Sequence, residues 1–137
     1  PLTSNAGIAS IDIILEENLT DRAQKLGTYW RGHLEQLQKD HEIIGDIRGR
    51  GLFRGIELVA DRASKEPFAP EIKLYARIKA QAMERGLICY PAGGTADGVR
   101  GDHVLLAPPF IIGEEHVGEI TSTLGDAIDA ALAEAID

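Results

Sequence analysis

The chain carries a single cysteine, Cys89, among its 137 residues, so no disulfide can form within it. That usage fits a reducing compartment and a cytoplasmic protein. Basic residues are also scarce, 14 Lys and Arg against 22 Asp and Glu, for a net charge of −8. The densest basic cluster is only Arg48, Arg50 and Arg54. A nucleic acid or an anionic membrane surface would be repelled by such a field, so neither is an expected partner. No apolar run approaches the roughly 20 residues of a membrane helix, and no signal-peptide pattern is present. Metal-ligand spacing is missing as well. The 4 histidines, His33, His41, His103 and His116, form no i, i+4 pair and have no Cys-x-x-Cys motif beside them. There is neither an internal repeat nor a low-complexity stretch.

What is present is a soluble globular composition, 44% hydrophobic and 26% charged, of a size that buries one core without staples. Ser4 to Glu17 reads as a helix with a wide apolar face built from Ile8, Ile11, Ile13, Ile14 and Leu15, with Thr3 or Ser4 as its cap. A second helix starts at Thr20 and ends near His41. Leu19, Ala23, Leu26, Trp30, Leu34 and Leu37 recur along it at three- and four-residue spacing.

Beyond it the period changes. Ile43–Gly51 and Leu52–Val59 are β-rich runs hinged on Gly49 and Gly51, which supply the positive φ of a tight turn. Ala60–Pro70 is a polar loop, and Pro70 opens a third helix that Gly86 stops. Leu87–Tyr90 reads as a short strand closed by Pro91, His103–Ala107 as another, and a last helix runs from Gly113 nearly to Asp137, with Val117, Ile120, Leu124, Ile128 and Leu132 inward. The expected architecture is α+β. It is a two-layer small domain, with a short, mainly antiparallel sheet covered by helices on one face. Residues 1–40 form a helical lead-in and residues 42–137 the α+β core.

The chemistry the residues offer is sparse. Asp102 and His103 are adjacent, and neighbours on a strand point to opposite faces, so they do not read as a catalytic pair. Cys89 has no lysine or histidine near it in sequence to lower its pKa, and reads as core. Gly45, Gly49 and Gly51 lead into a strand, not a helix, and lack the Gly-Lys-Ser/Thr ending of a phosphate loop, so they read as hairpin geometry. Ala92–Asp102 is long, glycine-rich and unable to form a core, which makes it the best local candidate for function. Arg100 lies in it. A guanidinium grips a carboxylate with two charge-assisted bonds, so Arg100 reads either as a carboxylate reader or as a solvated loop charge. Arg48 and Arg50, on the hairpin, read as surface partners of Asp46 or Glu57, with carboxylate recognition as the alternative.

Two runs carry a family resemblance. Asp46-Ile47-Arg48-Gly49-Arg50-Gly51-Leu52-Phe53-Arg54-Gly55-Ile56-Glu57-Leu58 resembles the D-x-R-G-x-G-L-x-x-G-I-E-L run of class III, pyridoxal-phosphate-dependent aminotransferases. Gly101-Asp102-His103-Val104-Leu105-Leu106-Ala107-Pro108-Pro109-Phe110-Ile111-Ile112 resembles their G-D-x-x-x-x-A-P-P-x-x-I run, and Pro1-Leu2-Thr3 is similar to the segment that enters a long helix in the family.

The resemblance implies the C-terminal small domain of a longer, fold-type I enzyme, usually a homodimer. The Schiff-base lysine, the acid on the pyridine nitrogen and the phosphate loop would then lie upstream of Pro1. None of Lys25, Lys39, Lys65, Lys73 and Lys79 matches the family's lysine motif. The implied cofactor is therefore pyridoxal 5′-phosphate in the parent, not bound covalently here, and the chain alone is expected to be inactive. No catalytic or cofactor-binding residue is assigned within it.

The implied partners are the missing large domain and small amine and 2-oxo-acid substrates. Many members that use 2-oxoglutarate carry an arginine two residues before A-P-P, where this chain has Leu105. In the amine or ω-amino-acid:pyruvate branch a mobile arginine just before the G-D motif reads the substrate carboxylate, and Arg100 holds the similar place. A stand-alone carboxylate-binding or non-catalytic structural module, or a mutase or decarboxylase of the same fold, are the rival readings.

Overall fold

The computed structural model describes residues 2–136; Pro1, part of the opening motif, lies outside them. Helix α1 spans Leu2–Glu16 and α2 spans Leu19–Asp40, separated by Asn18 in the left-handed region at φ 50°. The hairpin β1 (Ile44–Arg50) and β2 (Phe53–Leu58) follows, then a 3-10 turn at Pro70–Ile72 and α3 (Leu74–Glu84). Strands β3 (Tyr90–Gly93) and β4 (Asp102–Leu106) and the long helix α4 (Glu114–Ile136) complete the chain. The four strands form one antiparallel sheet in the order β1-β2-β4-β3. The expected α+β architecture is the one observed.

Alternation along the strands decides which face the helices cover. Arg54, Ile56 and Leu58 of β2 and Asp102, Val104 and Leu106 of β4 are buried, while Phe53, Gly55, Glu57, His103 and Leu105 face the other way. Against the buried face pack Trp30 and Leu34 of α2, Leu74 and Ile78 of α3, and Val117, Leu124 and Ile128 of α4, all without solvent exposure. Each such side chain contributes about 1.5–3 kcal/mol by leaving water. Trp30 keeps its indole N–H satisfied by donating to Thr121 Oγ1 at 3.1 Å, and the Thr121 hydroxyl donates to the Val117 carbonyl at 2.8 Å.

The helical lead-in divides in two. The apolar stripe of α2 is part of the core, whereas no residue of α1 is buried, and Ile8, Ile11 and Leu15 are exposed. Helix α1 begins at Leu2, so Thr3 and Ser4 stand inside its first turn and not at its cap.

Two other boundaries differ from the sequence reading. The third strand is not Leu87–Tyr90 closed by Pro91: Leu87–Cys89 lie outside it, and it starts at Tyr90 and runs through Pro91 to Gly93, with Pro91 paired opposite Val104. Strand β3 is a sheet edge, where a proline without an N–H removes no ladder bond. The third helix does not start at Pro70: the chain makes one 3-10 turn, passes through Lys73 at φ 49°, and only then becomes α-helical.

Candidate functional site

The glycine-rich segment joins β3 to β4 and is more ordered than its composition suggests. Gly94, Gly98 and Gly101 take φ of 83°, 89° and 95°, a region that costs a side-chain-bearing residue strain. Those turns let the loop bond to itself: the Gly98 N–H donates to the Gly94 carbonyl at 2.9 Å and the Ala96 N–H to the Arg100 carbonyl at 2.9 Å. Asp97 closes the tip. Its Oδ1 accepts the backbone N–H of Val99 at 3.0 Å and of Arg100 at 2.7 Å.

Arg100 is displayed at this tip. Its Nε donates to Asp97 Oδ2 at 2.8 Å and its Nη1 to Glu66 Oε1 at 3.2 Å, with about half of the side chain exposed. Hydrogen bonds from the backbone and side chain of Arg100, with a further backbone bond from Val99, hold the Asp97 carboxyl down at about 2. The two acids, Asp97 first, push the guanidinium still higher. Arg100 is thus a guanidinium on a hydrogen-bonded, glycine-built platform whose partners are both carboxylates.

The sheet face not covered by helices forms a concavity of about 290 Å³ beside this loop. Phe53, Gly55 and Leu105 make its floor, with Arg48, Glu57, Thr95 and His103 around it. Arg48 bonds to Asp46 at 3.0 Å and also to Glu57 across the hairpin, as expected of a strand pair on one face. Thr95 Oγ1 is hydrogen-bonded to His103 Nδ1, which ties the glycine-rich loop to the concavity. Leu105, the position where the resemblance would put an arginine in 2-oxoglutarate users, lies on this floor. Arg100 does not line it.

The other residues singled out from sequence take structural places. Asp102 is buried and faces the helices, while His103 faces the open side, so the two do not form a catalytic pair. Burial raises the Asp102 carboxyl above its ordinary range, opposed by the N–H it accepts from Tyr75. Burial likewise raises the Cys89 thiol, the opposite of an activated nucleophile. Arg54 points inward from β2 and donates to the carbonyls of Gly49, at 3.0 Å, and Gly27. Gly49 and Gly51 turn the hairpin at φ 125° and 54°.

Sequence reasoning missed Arg22, whose guanidinium donates to the carbonyls of Phe110 and Ile112 and so holds the loop after Ala107-Pro108-Pro109. It also missed Arg62, which caps the end of α2 through the carbonyls of Gln38 and His41 at 2.6 and 2.7 Å. Both act across more than twenty residues of chain, and nothing in local spacing announces them. Glu66 was hidden for the same reason.

No group of three or more His, Cys, Asp or Glu residues is placed to hold a metal ion among the described residues. A Schiff-base lysine needs a buried site to lower its pKa, and Lys25, Lys39, Lys65, Lys73 and Lys79 are all exposed. Among the described residues no helix is long and apolar enough to cross a membrane.

A four-stranded antiparallel sheet, helices on one face, a hairpin built on Arg-Gly-x-Gly and a Gly-Asp strand ending in Ala-Pro-Pro together define a transaminase-type domain. The class-III aminotransferase family matches residues 1–128, and the chain belongs to that family. An uncharacterized aminotransferase of Schizosaccharomyces pombe is 41% identical over 133 residues, 97% of this chain and 29% of that protein. The hypotaurine/taurine–pyruvate aminotransferase of Paracoccus denitrificans is 39% identical over 127 residues, 93% of this chain and 26% of that protein.

Among solved structures, an ω-aminotransferase from Paracoccus denitrificans superposes with a TM-score of 0.82 at 30% identity, over 93% of this chain and 26% of that one. Vibrio fluvialis aminotransferase structures of the same fold are PLP-bound and PMP-bound. These relatives include the amine and ω-amino-acid:pyruvate branch that the sequence resemblance named. The chain spans under a third of the length of the relatives it matches.

Proposed function

We propose that this chain is the C-terminal small domain, residues 1–137, of a transaminase that moves an amino group from an amine or amino acid to a 2-oxo acid, with pyruvate as acceptor. The observation that carries the reading is the 39% identity to a taurine-family pyruvate aminotransferase across nearly the whole chain. The parent's cofactor is pyridoxal 5′-phosphate, held by residues other than these. The chain by itself is inactive, because its lysines are solvated. The exposed apolar residues of α1 pack on the rest of the parent or on the second subunit of a homodimer, and the parent is cytoplasmic.

Within that enzyme the chain's work is binding and orientation. Arg100 reads the substrate carboxylate. Its guanidinium is exposed, its platform is fixed by the loop's own hydrogen bonds, and its present partners are carboxylates, the group it is to recognise. Leu105, in place of an arginine on the open sheet face, argues against a glutamate-type donor.

The test is steady-state kinetics of the full-length parent with Arg100→Ala. The expected outcome is a KM for pyruvate raised about ten-fold or more, with kcat on a carboxylate-free amine donor little changed. An unchanged KM for pyruvate overturns the assignment.

A further inference from the structure

We infer that Glu66 is the resting counter-ion of Arg100, a carboxylate built into the fold that competes with the substrate carboxylate and sets how readily the site takes one. The inference rests on the reading of Arg100 as the carboxylate reader.

The two acids on Arg100 are not equivalent. Asp97 belongs to the same loop, and its Oδ1 is committed to the backbone N–H groups of Val99 and Arg100. Its Oδ2 takes the Nε edge of the guanidinium at 2.8 Å. This contact aims the side chain, and it can persist when a ligand arrives. Glu66 comes from the distant 60–70 loop and touches only Nη1, at 3.2 Å. On the end-on edge of the guanidinium, formed by Nη1 and Nη2, the only carboxylate among the described residues is Glu66, at Nη1. A carboxylate taking both bonds on that edge competes with Glu66 and leaves Asp97 on Nε in place.

Glu66 is held ready for that role. Its carbonyl accepts the Ala60 N–H at 2.8 Å, closing the small bridge between Asp61 and Glu66. Asp61 in turn accepts the Ala63 N–H at 2.9 Å and the Ser64 hydroxyl at 2.6 Å. Lys65 next to it has φ 62° and donates through Nζ to the Gly45 carbonyl on β1. The backbone around Glu66 is thereby pinned to the sheet, while its side chain is 62% exposed and free to swing away. An exposed pair of this kind is weak, which suits a contact that must open at every binding event.

The experiment uses the full-length parent carrying Glu66→Gln, Arg100→Ala and the double variant. Two readouts are taken: the ratio of KM for pyruvate to KM for an aldehyde acceptor lacking a carboxylate, and backbone amide exchange of residues 94–101. Glu66→Gln should lower that ratio roughly two- to five-fold and speed exchange in the loop, and should leave the ratio unchanged when Arg100 is already alanine. Unchanged loop exchange in Glu66→Gln shows that Glu66 does not hold Arg100 at rest and overturns the inference, whatever Arg100 does. Faster exchange with an unchanged ratio shows a contact that does not compete, and overturns it equally. A ratio that Arg100→Ala fails to raise removes the reading on which the inference stands. A ratio raised by Arg100→Ala but untouched by Glu66→Gln leaves Arg100 as reader and rejects Glu66 alone.

Discussion

The Asp102 carboxylate on β4 accepts the backbone N–H of Tyr75 at 3.0 Å, so a strand supplies the N-terminal cap of helix α3. The residue at the local cap position, Lys73, makes no capping hydrogen bond with its side chain and lies in the left-handed region. An orphan N–H in the first turn of a helix needs an acceptor, and here it comes from twenty-seven residues away. The Gly-Asp motif therefore has a structural role, in which Gly101 makes the turn, at φ 95°, that lets Asp102 reach the helix.

Replacing Asp102 by alanine should cost about 0.5–2 kcal/mol in urea unfolding, the loss of the cap that satisfies the Tyr75 N–H. Asp102→Asn keeps the acceptor and should cost less. The two will also differ in pH dependence. Because burial raises the Asp102 carboxyl in the folded state, the native protein holds this proton to higher pH than the unfolded chain. Wild-type stability should then fall relative to Asp102→Asn as pH rises from the ordinary carboxyl range through the raised folded value. A stability difference that is flat from about pH 4 to 7 contradicts this.

Acid should loosen the glycine-rich loop. Asp97 is depressed from 3.8 to about 2, so its contribution is fully present above the ordinary value and is lost as pH falls through the depressed one. Amide resonances of Val99 and Arg100 should shift together, with a midpoint near the depressed value, and Asp97→Asn should abolish that shared transition. A midpoint at the ordinary carboxylate value would mean that Asp97 does not hold the loop.

Helix α2 and the hairpin meet at a pair of glycines. A Cβ on Gly27 would overlap the carbonyl of Gly51, and Arg54 spans the same junction by bonding the carbonyls of Gly27 and Gly49. Gly27→Ala should destabilise by about 1–3 kcal/mol, because the backbones must part. Gly32 on the same helix has nothing within 4 Å of a built Cβ. Gly32→Ala should stabilise by about 0.5–1 kcal/mol through helix propensity alone. Equal effects of the two substitutions would show that the close approach at Gly27 is not needed.

Periodicity and turn chemistry were enough to read most of the architecture from sequence. The stripe from Leu19 to Leu37, the glycine hinge of the first hairpin and the inward face of α4 are local patterns, legible because a helix or strand buries one face at a fixed repeat. The family was legible too, because its two motifs sit at turns and strand ends where residue identity is dictated by backbone geometry. Tertiary structure decided the rest. That Asp102 caps α3, that Arg22 and Arg62 hold distant carbonyls, and that Arg100 meets Glu66 are pairings across 27, 88, 24 and 34 residues of chain. Hydrogen bonds and ion pairs act over a few ångströms in space and carry no period along the chain, so only the folded backbone brings these partners into reach.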